Sequence, residues 1–208
     1  MVRLTTSAAD FLPPERDLGS LADAAAGCRG CPLWKPATQT VFGDGPADAR
    51  VVLVGEQPGD QEDKQGHPFV GPAGGVLDRA LDAAGIDRDA VYVTNAVKHF
   101  KWEPRGKVRL HKKPNVAEMT ACRPWWEAEL AAVQPKVLGC LGATAAQAVF
   151  GARFRVTKQR GEWFEIPSGV AAMATIHPSA VLRADDELRD QFFDGLVRDL
   201  EQMATRLD

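Results

Sequence analysis

The sequence predicts an α/β fold, a single-domain α/β/α sandwich around a mainly parallel central sheet. Three observations carry that expectation. Short apolar runs alternate with helix-period segments, glycine- or proline-rich turns follow those runs, and 208 residues is a length for one domain rather than two. Hydrophobic residues make up 45% and charged residues 25% of the chain, a composition that excludes a disordered or fibrous protein. A chain of this size buries a core without disulfide staples. No apolar run approaches the roughly 18 residues of a membrane helix, and the first residues lack a secretory apolar core, so a soluble, cytoplasmic monomer with no membrane partner is expected.

The elements follow in order. Met1–Arg16 reads as an irregular arm, and Leu18–Ala26 as a short helix leading to Cys28. Arg50–Gly55 is a buried-strand pattern that ends in the loop Glu56–Asp60. Gly71–Gly75 precedes a helix with Val76, Leu77, Ala80, Leu81 and Ala84 on one face, and Gly85 is a stop signal. Val91–Asn95 is the next strand. Ala117–Ala132 is helical, with Pro124 either kinking it or beginning a second helix. Lys136–Leu141 is a strand followed by a helix near Thr144–Phe150, and two further strands are expected at Glu162–Ile166 and Val170–Ile176. The last helix, Asp186–Arg206, carries Leu188, Phe192, Leu196, Val197, Leu200 and Met203 at the 3.6 period. In such folds ligands bind in loops at the carboxyl ends of strands, where Glu56–Asp60, Asn95 and His177 all fall.

Net charge is −3, but the charge is unevenly spread. Lys98, Lys101, Arg105, Lys107, Arg109, Lys112 and Lys113, against Glu103, make one segment +6 and leave −9 on the remainder. A flexible cationic loop of this kind is either a docking surface for phosphates or a solvated face. His111 lies within it, where neighbouring positive charge favours the neutral, nucleophilic imidazole.

The remaining candidates each have a bland reading beside a chemical one. Gly55-Glu-Gln-Pro-Gly-Asp60 is neither a Walker loop nor a dinucleotide fingerprint; its carboxylates could stabilise a cation or orient a base, or be solvated, as Glu62 is taken to be. Phe69 could stack on a flat ring or belong to the core. Asn95 could read a base edge or bond backbone. His177-Pro-Ser179 suits a donor aimed at developing negative charge. His67 and His99 carry no distinguishing context and are read as partly exposed. Cys28-Arg-Gly-Cys31 lacks the strand–helix setting of a redox pair. With Cys122 and Cys140 it could form zinc or iron–sulfur ligands, although Cys140, in an apolar strand, could equally be a small core residue.

Taken together these motifs resemble the uracil-DNA glycosylase superfamily, most closely its UdgX-type branch beside the iron–sulfur family-four enzymes. The resemblance runs from Cys28 to the last helix through Gly55–Asp60, Pro68–Gly74, Val93–Lys98, Lys107–Lys112, Cys122-Arg-Pro124 and His177-Pro-Ser179. It implies excision of uracil from DNA, with single strands accepted and free uracil as product. Phe69 and Gly55 would enclose the flipped base, Asn95 would read its edge, and His177 with the backbone near Gln57 would stabilise the leaving anion. His111 would attack C1′ and leave the protein crosslinked to DNA, with Glu56 orienting it, Arg109 anchoring the loop, and Asp60 in a supporting catalytic place. Lys98, Lys107, Arg109, Lys112 and Ser179 would contact DNA. The four cysteines, Cys28, Cys31, Cys122 and Cys140, would hold a [4Fe–4S] cluster. The familiar loop reads K-R-R-I-H-K; Val108 and Leu110 depart from it. A turning-over glycosylase and a non-catalytic iron–sulfur DNA-binding or sensing protein are the alternatives.

Overall fold

A computed structural model describes residues 7–207. The first six residues of the expected N-terminal arm lie outside them. The rest of the arm forms a 3₁₀ turn at Ala8–Phe11, capped by Ser7, with Ala8 fully buried. It is followed by α1, Leu18–Ala26, whose first turn is capped by Asp17.

Three strands expected from apolar runs lie side by side in a five-stranded sheet: β1 (Val51–Gly55), β2 (Val91–Asn95) and β5 (Val137–Leu141). All fifteen of their residues are buried, the pattern of parallel strands covered on both faces. The chain forms a separate antiparallel hairpin between them, β3 (Trp102–Arg105) and β4 (Val108–His111). The sheet is completed by β6 (Trp163–Glu165) and β7 (Ala171–Thr175), in the order β2-β1-β5-β7-β6. β6 alone is antiparallel, at the edge. The chain passes from β1 outward to β2 and later returns to the other side of β1 with β5. The carboxyl ends of β1 and β5 therefore flank a topological switch point, where α/β sheets open a crevice.

The period of two in the strands decides which helices cover which face. Val51, Leu53, Val91, Val93 and Met173 meet α3 (Pro72–Ala83) and α8 (Asp186–Ala204) through Val76, Leu77, Ala80, Leu81, Leu196, Leu200 and Met203. Val52, Val54, Leu138, Cys140 and Ala174 meet α4 (Val116–Val133) and α5 (Gly142–Phe150) through Trp126, Leu130, Ala145 and Val149. Each large side chain so buried stabilises the fold by about 1.5–3 kcal/mol. Pro124 lies inside α4, which runs unbroken from an Asn115–Glu118 capping box. Three short helices complete the chain: α2 (Asp60–Gln65), α6 (Val156–Gln159) and α7 (Pro178–Arg183). Among the described residues no helix is long and apolar enough to cross a membrane.

Two expectations about charge are corrected here. The basic segment is not a flexible loop but the β3–β4 hairpin, turned through Gly106 at φ +60°. Lys98 does not face DNA. Its side chain is fully buried and its ammonium bonds to Glu129 Oε2 at 2.5 Å, to the Asn95 carbonyl at 3.0 Å and to Thr94 Oγ1. Glu129 is held in turn by the Gly43 amide (2.9 Å), Tyr92 (3.1 Å) and Thr94. An ammonium among strand-end residues reaches an acid on α4 because removing it from water without a partner would be prohibitive. Removing one member strands the other, so Lys98→Met or Glu129→Ala should each cost about 3–5 kcal/mol, read from urea unfolding midpoints. The paired Lys98→Met/Glu129→Leu change should recover most of that loss. A single variant within about 1 kcal/mol of the parent would show that the pair is not holding the strand end.

Candidate active site

The switch point gathers most of the residues singled out in the sequence. Glu56 and Gln57 leave β1, Asn95 ends β2, Gly142–Thr144 begin α5 after β5, and His177 follows β7 as the N-cap residue of α7. Two cavities adjoin there. A narrow one of about 60 Å³ is lined by Gln57, Gly59, Glu62, Phe69, Asn95 and His177. A wider one of about 580 Å³ is bounded by Glu56, Gln57, His111, Lys113, Thr144 and Arg183, with His177 again on its wall. Gln57 and His177 belong to both.

The narrow slot is shaped by backbone. Phe69 has φ +58°, a left-handed conformation that a phenylalanine adopts only under constraint. Its ring faces that of His177, the centroids 6.4 Å apart and the planes 26° from parallel. Gly55 is needed because a Cβ there would stand 2.7 Å from the Phe69 ring and closer still to Asn95 Oδ1. Glu62, expected to be solvated, is buried. It accepts from the Gly59 amide at 3.0 Å and the Gly71 amide at 2.7 Å, fastening the two loops that wall the slot. A helical capping residue three positions after Gly59 was the available signal for this.

His177 is locked in one tautomer. The Ser179 amide donates to Nδ1 at 3.1 Å, and the Ser179 hydroxyl lies 2.7 Å from the same nitrogen while accepting from Arg183 at 2.9 Å. Nδ1 is thus the acceptor and Nε2 carries the proton. Burial, with positive charge on Arg183 and the neighbouring His111, lowers its pKa to about 4. The residue is a neutral N–H donor, the form that stabilises an emerging anion. Ser179, expected on DNA, holds this ring in place.

His111 is exposed at the end of β4, and its Nε2 is 3.5 Å from Glu56 Oε1. The other oxygen of Glu56 accepts from Thr144 Oγ1, joining the ends of β1 and β5 across the crevice. Arg109 anchors the hairpin as expected: Nε meets Asp60 Oδ1 at 2.6 Å and Nη1 meets the fully buried Asp63 at 2.5 Å. Its guanidinium also covers the Phe100 and Trp102 rings. Gln57 straps the hairpin base through the Lys101 and Lys112 carbonyls, at 3.2 and 3.1 Å. Asp60, expected in a supporting catalytic place, is engaged by Lys64 and Arg109. Hydrogen bonds from Lys64 and Arg109 hold its carboxyl below the usual range, and it serves as an anchor. Lys107 is exposed at the hairpin tip, and Lys112 pairs with Glu103 at 2.8 Å.

A third cluster lies under the N-terminal segment. Cys28, Cys31 and Cys122 are buried there with Ala25, Val97 and Trp125. Cys28 Sγ accepts from Trp125 Nε1 at 3.2 Å, and Cys122 Sγ accepts from the Lys98 amide at 3.2 Å. Burial pushes the Cys31 thiol up and that of Cys122 to about 12. Cys140 is set apart from these three. It sits on β5 in the core beneath α4 and α5, among Val54, Ala145 and Ala174, where burial alone raises its thiol. The alternation of β5 sends it to that face. His99, expected to be partly exposed, is also buried.

A sequence profile of the uracil DNA glycosylase superfamily matches residues 42–201, which include β1, the hairpin, α4 and His177. The chain belongs to that superfamily. It is 40% identical over 164 residues to a type-4 uracil-DNA glycosylase of Thermotoga maritima, covering 78% of this chain and 82% of the relative. Type-4 enzymes of Sulfurisphaera tokodaii and Archaeoglobus fulgidus are 34% and 36% identical, each over 79% of this chain and over 76% and 82% of their own lengths. Within the superfamily site, the tautomer of His177 has a measurable consequence. Its ring proton signals should keep neutral shifts on acidification until about pH 4 in an NMR titration. The unfolded chain binds that proton more readily, so stability contributed by neutral His177 is present above pH 6.5 and lost as pH falls towards 4. A midpoint near 6.5 would contradict the buried donor.

Proposed function

We propose that this protein excises uracil from DNA and that His111 then captures C1′ of the abasic site. The observation that carries the reading is one crevice with two histidines in different settings: neutral His177 held as a donor, and His111 on an anchored hairpin beside Glu56.

Uracil must leave the stack, or be met in a single strand, before its glycosidic bond is reachable. Phe69 stacks the base and the Asn95 amide pairs with its edge. As the C1′–N1 bond breaks, its electron pair leaves with uracil and the sugar gains oxocarbenium character. His177 Nε2–H meets the developing anion, helped by backbone amides near Gln57. A lone pair of the His111 imidazole forms the new bond to C1′, and Glu56 takes the ring proton that the alkylated imidazole must release. Attachment of the nucleophile to the same molecule gives it the effective concentration to outrun water. Lys107, Lys112 and the neighbouring Lys113 and Arg183 supply positive charge for the phosphates on either side.

The buried cysteines fit an iron–sulfur cluster. Cys28, Cys31 and Cys122 lie together in a dry region with N–H donors on two of the sulfurs, the setting in which thiolate charge is stabilised once iron is bound. A cluster there would crosslink the segment after α1 to α4. Among the described residues no three such side chains converge as ligands of a single ion do, whereas a cluster carries its ligands on separate irons.

A second reading, in which water captures the sugar and the enzyme turns over, is favoured by the similarity to type-4 enzymes. A uracil-containing single strand, incubated with the protein and boiled in detergent, separates the two. A persistent protein–DNA band with loss of uracil is expected, and His111→Ser should release uracil without the band. Uracil release with no band from the parent protein establishes turnover instead. Replacement of His177 by alanine should slow single-turnover excision by about 10²–10³-fold, as loss of an oxyanion donor does. An unchanged rate would remove it from the chemistry.

A further inference from the structure

Glu56 has two carboxylate oxygens, and the capture of C1′ calls on one of them. Oε1 lies 3.5 Å from His111 Nε2, while Oε2 accepts from the Thr144 hydroxyl. The Glu56 side chain is 20% exposed and Thr144 is buried. The acid thus meets the crevice with one oxygen beside the hairpin and the other already occupied.

Thr144 is placed there by backbone. It is the third residue of α5, and Gly142, the first, has φ +89°. A Cβ on Gly142 would stand 2.8 Å from the Cβ of His177, so the start of α5 packs directly on the residue that meets the leaving group. Branching at Cβ leaves the Thr144 side chain few rotamers within the helix. A threonine deep in a helix often turns its hydroxyl back to a carbonyl of the preceding turn. Thr144, in the first turn, gives it to Glu56 across the crevice instead.

The consequence is chemical. Once uracil has left with the glycosidic electron pair, C1′ takes a new pair from one of two donors. The His111 imidazole forms the bond and then loses its ring proton, or water forms it and loses one of its own. Either loss needs a base, and Glu56 is the carboxylate beside His111. A carboxylate with both oxygens free accepts from a water molecule as readily as from a ring N–H. Donation by Thr144 fills Oε2 and leaves the oxygen that faces His111. Resting on the reading that His111 captures C1′, we propose that Thr144 is a positioning residue which commits Glu56 to His111, and so decides whether the sugar is taken by the protein or by water. It acts through Glu56 and not on the base.

The test measures adduct formed per uracil released, in single-turnover reactions on a uracil-containing single strand resolved on denaturing gels. Thr144→Val keeps the shape of the side chain and removes the hydroxyl. Its ratio should fall by about tenfold or more, the effect of losing one hydrogen bond to a charged group, with free abasic sites making up the difference. Thr144→Ser retains the hydroxyl and should recover most of the ratio. Glu56→Gln should move the ratio in the same direction as Thr144→Val. Because each value is counted per uracil released, protein lost to misfolding lowers both products together and leaves the ratio alone. A parent-level ratio from Thr144→Val, no recovery in Thr144→Ser, or a parent-level ratio from Glu56→Gln overturns the role of Thr144 alone. Parent protein that yields no adduct overturns capture by His111, and this inference with it.

Discussion

The hairpin that carries His111 owes its place to Arg109. Four-residue strands joined by a two-residue turn are marginal in isolation, and this pair stands apart from the central sheet. Arg109 gives it two carboxylates in one grip, Asp60 and Asp63, both from the first turn of α2. Asp63 is fully buried and also accepts from the Thr38 amide and hydroxyl. The guanidinium fork suits such a double contact in a way that an ammonium does not. Since α2 grows directly out of the loop after β1, the grip ties the hairpin of His111 to the strand that delivers Glu56. Position is inherited along one short path: β1, its loop, α2, Arg109, His111.

The second constraint is the segment from Asn95 to Phe100, every residue of which is buried. Asn95 faces the narrow slot, and its carbonyl receives the Lys98 ammonium. The Lys98 amide donates to Cys122 Sγ, and the buried ring of His99 bonds Thr40. Phe100 then lies under the Arg109 guanidinium and beside the His111 ring. Six consecutive residues thus serve the base slot, the buried ion pair, the cysteine region and the hairpin in turn. A disturbance at any of these is carried to the others through backbone that has no slack.

The periodic elements were legible because burial on two faces leaves an unambiguous pattern. β1, β2 and β5 read as apolar runs and α8 as a 3.6-period stripe, and each agrees with its observed span within two residues at either end. What sequence could not convey is direction in space. Lys98 sits in a run of cations and reads as one of them, yet its acid is 31 residues away on a helix. Cys140 reads as the fourth of four cysteines, but it packs among core residues of the sheet, α4 and α5 rather than with the other three. Glu62 reads as one of several loop acids, and its burial depends on two glycine amides that the loop folds back to present. The hairpin escaped notice because its strands are four residues long and the Val108–His111 alternation is too short to stand out within a run of cations.

These differences share a cause that also organises the site. Lys98 and Glu62 are charged and have been removed from water by partners that the loop and helix patterns do not register. The candidates that border the two cavities, Phe69, Asn95, His111 and His177, lie at strand ends or in loops near the carboxyl edge of the sheet. The superfamily fold supplies a crevice, and the chain equips it by local means: a strained Phe69, a capped His177, a glutamate shared between Thr144 and His111. Chemistry at the crevice then depends on buried polar contacts some distance behind it. Those contacts fix which nitrogen of each histidine holds a proton. His177 is made a donor by Ser179 and Arg183. Sequence position alone carries no trace of that choice.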